Sequence, residues 1–374
     1  MTKDRRIEIT SVPLHAASVR TPNRSRGALS HVAGRFETVA REQWDDGWPR
    51  DEEPLPPLET RVTEERARSI LAKNDSPDIP FDRSINPYRG CEHGCVYCYA
   101  RQTHAYLELS PGLDFETRLF AKKNAAELLK EELAKPGYVV DPIAFGTNTD
   151  AYQPIERRYR IMRELVEVLS ACEHPMTVVT KSALVERDLD LLAPMAAKKL
   201  VKVFLSINTL DANLSRRLEP RAASPKRRLD AVRALAAAGI PTGVMVAPMI
   251  PGLTDKSIEE VLEAAAGAGA TMAGWIMLRL PFEVKPLFKE WLDQHYPLRA
   301  EHVMSIVRNV RGGRENDPNF RTRMTGGGNY AELIAKRFAI ACKRLRLNEE
   351  RRGNERLDCT RFRAPEAGRQ MRLF

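Results

Sequence analysis

Strand-like and helix-like segments alternate along most of the chain, and this order restricts the folds that it can adopt. After a short strand through Ile85 and Tyr88, further strands are predicted at 143–147, 176–180, 200–207, 242–248 and 273–280. Helices are predicted at 63–73, 115–133, 155–169, 187–197, 224–238, 257–268, 287–295, 299–310 and 329–347. Strands that alternate with helices pair in parallel through right-handed crossovers. We therefore expect an α/β fold with its functional groups at the carboxyl ends of the strands.

Directly after the first strand, three of the six cysteines follow one another in a Cys-x3-Cys-x2-Cys spacing, at Cys91, Cys95 and Cys98. Adjacent glycines relax the backbone, so that three sulfurs can converge on one point. Three thiolates can bind an iron-sulfur cluster with one open iron position. They can also bind structural zinc if His93 or His104 supplies a fourth ligand, or they can remain without metal. The spacing alone leaves these three interpretations open.

Polar residues stand at the ends of the next predicted strands. Gly146, Thr147 and Asn148 follow the second strand, and Lys181 follows the third. The fourth strand ends in Ser206-Ile207-Asn208. Small and hydrogen-bonding groups leave room for a ligand, and a lysine can bind its carboxylate, so this set predicts a site for a zwitterionic cofactor. The alternative is a set of ordinary turn residues, with Asp150 capping backbone amides.

The charge of the chain suggests an anionic partner. Its 374 residues carry a net charge of +9, with basic excess in segments 1–41 and 343–374. Such ends attract phosphates, although a solvated tail is the simpler interpretation. The longest nearly uncharged stretch, 264–278, is shorter than the roughly 20 residues of a membrane span, so no membrane contact is expected. Isolated remaining cysteines favour a reducing compartment, and we expect a cytoplasmic protein.

The cysteine spacing, followed by Tyr97 and Tyr99, resembles the signature of the radical S-adenosylmethionine (SAM) enzymes. In that family three thiolates hold a 4Fe-4S cluster whose fourth iron is chelated by SAM. The reduced cluster cleaves SAM to a 5'-deoxyadenosyl radical. The resemblance implies a partial (β/α)6 TIM-like barrel at 79–312, between a partly irregular N-terminal extension, 1–78, and a helical basic C-terminal extension, 313–374. An electron donor of the flavodoxin or ferredoxin type is the expected partner.

Within that superfamily the chain is similar to the spore photoproduct lyase family over 80–251. The similarity rests on Gly-Cys-x3-Cys-x2-Cys-Tyr, Val-Thr-Lys, Phe-Leu-Ser-Ile-Asn, Leu-Glu-Pro followed by Ser-Pro-x-x-Arg, and Gly-Val-Met-Val-Ala-Pro-Met. It implies that Lys181 and Ser206 contact SAM and that Tyr97 and Tyr99 lie beside the cluster. The lyases carry a cysteine after the second strand that returns a hydrogen atom to the product radical. Thr147 stands there, and its O–H bond is too strong for that role.

Three functions are compatible with these features. The first is a radical SAM enzyme that abstracts hydrogen from an unidentified substrate, with nucleic acid favoured by the basic ends. The second is a non-catalytic nucleic-acid-binding protein with a structural metal at the three cysteines. The third is a radical enzyme that acts on a peptide or a small metabolite, in which case the basic ends are merely solvated.

Overall fold

The computed structural model describes residues 26–37, 58–349 and 356–365. The strands of these residues form two β-sheets. The strands in those residues are β1 (Arg61–Glu65), β2 (Leu71–Lys73), β3 (Arg83–Ile85), β4 (Tyr88–Arg89), β5 (Arg118–Lys122), β6 (Ile143–Phe145), β7 (Met176–Thr180), β8 (Val201–Ser206), β9 (Thr242–Met249) and β10 (Met272–Met277). The main sheet has the order β2-β3-β6-β7-β8-β9-β10. Strands β3 and β6 to β10 are parallel, and β2 pairs antiparallel at the edge. The predicted six parallel strands are therefore confirmed.

Helices connect the parallel strands and cover the sheet. The α-helices of the described residues are α1 (Asp114–Thr117), α2 (Ala125–Leu133), α3 (Glu156–Tyr159), α4 (Ile161–Ala171), α5 (Leu189–Ala197), α6 (Ala212–Leu218), α7 (Pro225–Ala237), α8 (Ile258–Gly267), α9 (Val284–His295), α10 (Pro297–Val310), α11 (Thr322–Thr325) and α12 (Gly328–Leu345). Short 3-10 helices cover Tyr99–Leu107, Ala183–Asp188 and Asp255–Ser257. At the start of α7 the Ser224 hydroxyl accepts the amide of Arg227, a standard N-cap that satisfies a helix-end donor.

The predicted helix at 63–73 is wrong. Strand β1 pairs in parallel with β5, and β2 pairs with β3, so long-range pairing outweighs the local helix propensity of this segment. The predicted helix at 115–133 is wrong in its first half, where α1 leads into β5. Leu119 and Ala121 are fully buried in alternation, and β5 lies between β1 and β4 in a second, three-stranded sheet.

Two further differences concern helix continuity. The helix predicted at 155–169 is divided into α3 and α4 at Arg160, which adopts φ +55°. Helix α6 was not predicted, because its seven residues carry too little periodicity to be recognised. The end of α6 contacts the cysteine loop, where the Leu218 carbonyl accepts the Val96 amide at 3.1 Å.

The core lies between the parallel sheet and its helices. On β8 the side chains of Val201, Val203 and Leu205 are fully buried. The C-terminal helix α12 belongs to the same core through Ile334 and Phe338, and Arg337 binds Glu259 of α8 at 2.6 Å. The predicted domain boundaries at residues 78 and 312 remain predictions. Strand β2 lies before residue 78 and nevertheless pairs with β3 in the main sheet.

Some sequence-based expectations concern residues outside the described ranges. Trp44 and Trp48, together with most of the basic ends, lie there. Among the described helices, none combines the length and the apolar character that a membrane crossing requires.

A buried histidine gives the first testable prediction. The Nδ1–H of His174 donates to the Pro175 carbonyl at 2.9 Å, and Nε2 accepts the Tyr138 hydroxyl at 2.9 Å. Burial lowers the pKa of His174 to about 4. The unfolded chain takes up this proton near pH 6.5, so protonation favours unfolding as the pH falls. We expect the free energy of unfolding of wild type to lose about 2 kcal/mol more than that of His174→Gln between pH 7 and pH 5. Urea denaturation at both pH values measures the free energy of unfolding, and His302→Gln on α10 is the control. Equal losses of stability in wild type and His174→Gln would contradict the prediction.

Candidate active site

The cysteine loop follows β4 and occupies the end of the sheet where the parallel strands terminate. Cys91 and Cys95 are each 7% exposed, and Cys98 is half-buried. Gly90 (φ +75°) and Gly94 (φ +69°) take left-handed conformations. A Cβ on Gly94 would lie 2.6 Å from a carboxylate oxygen of Glu116, so the tight turn requires glycine. The predicted role of the two glycines in shaping this loop is confirmed.

A fully buried ion pair stabilises the cysteine loop. Arg101 pairs with Glu116, and both side chains have 0% exposure. The Arg101 guanidinium also donates to the Cys95 carbonyl at 2.8 Å and to the Gly112 carbonyl at 2.9 Å. Glu116 accepts the amide of Gly27 at 2.9 Å, which attaches the N-terminal segment to the loop. This pair could not be predicted from the sequence, since it joins residues of two different elements.

The two histidines that could supply the fourth ligand of a zinc site, His93 and His104, have other neighbours. Nε2 of His104 lies 3.0 Å from the Arg118 carbonyl. Nδ1 of His93 lies 3.3 Å from an oxygen of Asp150, which also accepts the Lys181 amide at 2.7 Å. Burial by itself would raise the pKa of Asp150, but His93 and these hydrogen bonds lower it to about 2. No three His, Cys, Asp or Glu side chains of the described residues are arranged to hold a single metal ion.

Lys181 extends from the end of β7 toward the cysteine loop. Its Nζ lies 5.9 Å from the centroid of the Tyr97 ring. Burial raises the pKa of the Cys95 thiol to about 12, and the nearby Lys181 ammonium opposes that shift. Burial lowers the pKa of Lys181, but Cys95 and Glu219 outweigh it and the net shift is upward. The predicted lysine thus carries its positive charge beside the predicted cysteine.

Glu219 and Arg228 form a buried network behind Lys181. The Tyr97 hydroxyl donates to one oxygen of Glu219, and the Arg228 guanidinium donates to the other. Arg228 also donates to the Ser206 carbonyl at 2.7 Å. The network therefore fixes the Tyr97 ring relative to the end of β8. Both acidic and basic members come from the Leu-Glu-Pro and Ser-Pro-x-x-Arg motifs.

Ser206 and Asn208 lie at the end of β8, next to β7. The Ser206 hydroxyl donates to the Ala247 carbonyl at 3.2 Å. Asn208 is 1% exposed, and neither Nδ2 nor Oδ1 has a hydrogen-bond partner among the described residues. A buried side-chain amide without hydrogen-bond partners destabilises a protein, so we expect the Asn208 amide to bind a ligand. A zwitterion, which has both an ammonium donor and a carboxylate acceptor, could satisfy both atoms.

Thr147 and Asn148 are held at the end of β6 by Asn86. Its side-chain oxygen accepts the Thr147 hydroxyl at 3.2 Å and the Asn148 amide at 2.9 Å. The Tyr99 hydroxyl donates to the Thr147 carbonyl, and 38% of Tyr99 is exposed. The predicted residues Thr147 and Tyr99 therefore meet at one edge of the site.

Gly146 has a packing role in the structure. It takes φ +86°, and a Cβ there would lie 1.9 Å from the Val179 carbonyl of β7. Glycine is required because the end of β6 passes close to its neighbouring strand. A role for Gly146 in cofactor binding remains a prediction.

A cavity of about 470 Å³ opens beside His93. Its lining includes Arg157, Arg187, Arg221 and Arg227. Glu186 also lines it and pairs with Arg227 at 2.6 Å. Arg221 pairs with Glu92 of the cysteine loop at 2.7 Å. This cavity was not predicted, because its arginines come from three separate segments.

The profile of the radical SAM superfamily matches residues 85–265, which contain the cysteine loop and strands β6 to β9. The chain belongs to the radical SAM superfamily. Radical SAM enzymes use a 4Fe-4S cluster and SAM as cofactors, and the chain is accordingly an enzyme. The motif that suggested this family from sequence is the one around which the site is built.

Curated relatives extend the similarity along the chain. An uncharacterised protein of Mycobacterium tuberculosis is 37% identical over 260 residues, which are 69% of this chain and 75% of the relative. An uncharacterised protein of Methanocaldococcus jannaschii is 28% identical over 220 residues, 59% of this chain and 78% of the relative.

Solved structures confirm the fold of this radical SAM chain. A spore photoproduct lyase complexed with dinucleoside spore photoproduct superposes with a TM-score of 0.52 at 19% identity, over 76% of this chain and 79% of the lyase. A mutant lyase with bound AdoMet and dinucleoside spore photoproduct gives a TM-score of 0.51 at 19% identity, with the same coverage. The predicted partial TIM-like barrel is therefore confirmed.

Proposed function

We propose that Cys91, Cys95 and Cys98 hold the 4Fe-4S cluster, and that the enzyme abstracts hydrogen from a nucleic acid. The observation that carries the proposal is the buried Asn208 amide at the end of β8, which has no partner among the described residues, on the strand next to β7 and its Lys181, whose Nζ lies 5.9 Å from the Tyr97 ring of the cysteine loop. When bound and reduced, the cluster supplies the electron that cleaves SAM to methionine and a 5'-deoxyadenosyl radical.

The residues of β7 and β8 bind and orient SAM in this proposal. Lys181 carries the positive charge that a carboxylate requires, and its Nζ lies 5.9 Å from the ring of Tyr97 in the cysteine loop, so a bound carboxylate would lie next to the cluster. Asn208 offers a buried donor and a buried acceptor, both without partners in the described residues. The Ser206 hydroxyl, which donates to Ala247, has lone pairs left for the ammonium of the ligand.

Tyr97 and Tyr99 are the proposed catalytic side chains, and they have different surroundings. Tyr97 is buried and fixed by Glu219, so it acts at the cofactor. Tyr99 is partly exposed and meets Thr147, so it is accessible to a substrate. Because Thr147 lacks a thiol, the proposal does not include the repair reaction of the lyases.

Nucleic acid is the proposed substrate because the chain has a net charge of +9 and an arginine-lined cavity beside the cysteine loop. An electron donor of the flavodoxin or ferredoxin type remains the proposed reductant. The non-catalytic binding function is not retained, since the chain is a radical SAM protein.

Anaerobic reconstitution tests the proposed function. Iron and sulfide contents, and electron paramagnetic resonance spectra of reduced protein with and without SAM, report on the cluster. A 4Fe-4S signal that changes with SAM, together with formation of 5'-deoxyadenosine, is expected. One zinc per chain, or a loaded cluster that never cleaves SAM, would contradict the proposal.

The unpartnered amide of Asn208 gives a second prediction. Asn208→Leu removes a buried polar group that has no partner, so we expect the free energy of unfolding to stay equal or to rise. The same change should weaken SAM binding by at least about tenfold, because two ligand contacts are lost. Urea denaturation and equilibrium SAM binding measure the two effects, with Asn213→Leu in α6 as the control for the substitution. Strong destabilisation with unchanged SAM affinity would show that Asn208 is structural.

A further inference from the structure

Arg279, which the proposed chemistry does not use, stands two residues beyond β10 and faces Tyr99. Its Cζ lies 5.3 Å from the centroid of the Tyr99 ring. Its Nε is buried and has no hydrogen-bond partner within the described residues, and Nη1 lies 3.9 Å from the sulfur of Met324, a weak acceptor. A partly buried guanidinium with an unsatisfied, buried N–H is a site for an anion.

The backbone on both sides of Arg279 is held in place. Arg311, which is 3% exposed, donates to the Leu278 carbonyl at 2.6 Å and to the Thr322 carbonyl at 2.8 Å. The Leu280 amide donates to Asn316 at 3.2 Å. The strand end is thus fixed to the segment that precedes α12. The backbone that carries Arg279 is therefore ordered before any ligand arrives, which lowers the entropy cost of binding.

The nearby carboxylate does not neutralise Arg279. Asp78 is bound by two nitrogens of Arg323, each at 2.6 Å. Burial lowers the pKa of the Arg279 guanidinium, and the neighbouring Arg323 cation lowers it further. Two guanidinium groups therefore face one carboxylate, and the cluster keeps a net positive charge.

Aromatic rings accompany both arginines. Tyr99 lies under Arg279, and Phe320 lies 4.7 Å from the Cζ of Arg323. Phe320 is 52% exposed and Tyr99 is 38% exposed, so both side chains are partly accessible to solvent. Arginines interleaved with accessible aromatic rings are the arrangement with which proteins bind single-stranded nucleic acids, since bases stack and phosphates pair. A peptide carboxylate would bind the guanidinium but would not stack on the aromatic rings.

We propose that Arg279 binds a phosphodiester group of a single-stranded nucleic acid and that Tyr99 and Phe320 stack the adjoining bases. This inference rests on the proposed function and names the substrate contact of that same site. It places the nucleotide next to Tyr99, at the edge of the site where Thr147 follows β6. Arg279 is a substrate-binding residue in this arrangement, and Arg311 is a positioning residue.

A dinucleotide with one phosphodiester tests the inference on the reconstituted full chain. Calorimetry would compare TpT with its uncharged methylphosphonate analogue. We expect wild type to bind TpT at least about tenfold more tightly than the analogue, because a charged hydrogen bond is lost. Arg279→Met should bind both ligands equally, and Arg279→Lys should retain part of the preference. Arg233→Met, on the exposed face of α7, is the matched control and should behave as wild type.

Each outcome decides the inference. Equal binding of the two ligands by wild type, no binding of TpT, or an undiminished preference in Arg279→Met would overturn it. Arg279-dependent binding of N-acetylaspartate amide in place of TpT would overturn it in favour of a carboxylate substrate. Iron content and urea midpoint establish that Arg279→Met is folded; if it is not, Arg279→Lys must reduce the preference. Failure of wild type to cleave SAM would instead contradict the proposed function, and the dinucleotide measurement would still report on the Arg279 site.

Discussion

Replacing Cys98 by alanine is expected to abolish SAM cleavage and to remove the 4Fe-4S signal. Cys98 is half-buried, so its truncation should disturb packing less than truncation of Cys91 or Cys95. A cluster held by two thiolates lacks one of its protein ligands and is not retained. We expect 5'-deoxyadenosine formation to fall to the level measured without protein. Iron analysis, electron paramagnetic resonance and product chromatography measure the loss.

The matched control is Cys359→Ala, which removes a half-exposed cysteine far along the chain from the loop. It should retain wild-type iron content and wild-type SAM cleavage. Retention of the cluster in Cys98→Ala would show that another residue completes the ligand set, and would make the assignment of the three cysteines wrong. Loss of the cluster in both variants would point to a general effect of cysteine removal on folding.

The parallel sheet could be predicted because each strand carries its own signal. In β7, Met176, Val178 and Thr180 are buried in alternation, and the predicted bounds agree with the structure. The segment 63–73 has no such signal, since its strand character comes from pairing with β5 and β3. Local propensity cannot report a partner that lies more than fifty residues away along the chain.

The site was predictable where it follows from the ends of strands. Parallel strands have their carboxyl ends at the same edge of a sheet. Polar residues that follow such strands, here the cysteine loop, Lys181 and Asn208, can therefore be recognised in the sequence. Arg279 also follows a strand, but a single arginine after an apolar run has no distinguishing pattern. Its importance appears only when Tyr99 and Arg323 are seen beside it. The Arg101–Glu116 pair was equally invisible, because a charged residue in sequence is most often solvated.

Removing the charge of Arg101 is expected to destabilise the whole cysteine loop. Arg101→Met leaves the Glu116 carboxylate buried without its cation and leaves the Cys95 carbonyl without a donor. Breaking a buried ion pair costs about 3–5 kcal/mol of stability. The double variant Arg101→Met/Glu116→Gln removes both charges, and its loss should be smaller than the sum of the two single losses. Urea denaturation of the four proteins measures this coupling.

The same variants separate folding from cluster binding. Arg233→Met removes the exposed arginine of the Arg233–Asp230 pair and should change the urea midpoint little. If Arg101→Met unfolds more easily and also loses iron, the pair supports both the fold and the loop. Iron loss without a change in the free energy of unfolding would mean that Arg101 acts on the loop alone, through its bond to the Cys95 carbonyl. If the double variant loses as much stability as the two single variants together, direct coupling is contradicted. A buried carboxylate without its cation should lower the free energy of unfolding more than a neutral glutamine at the same place.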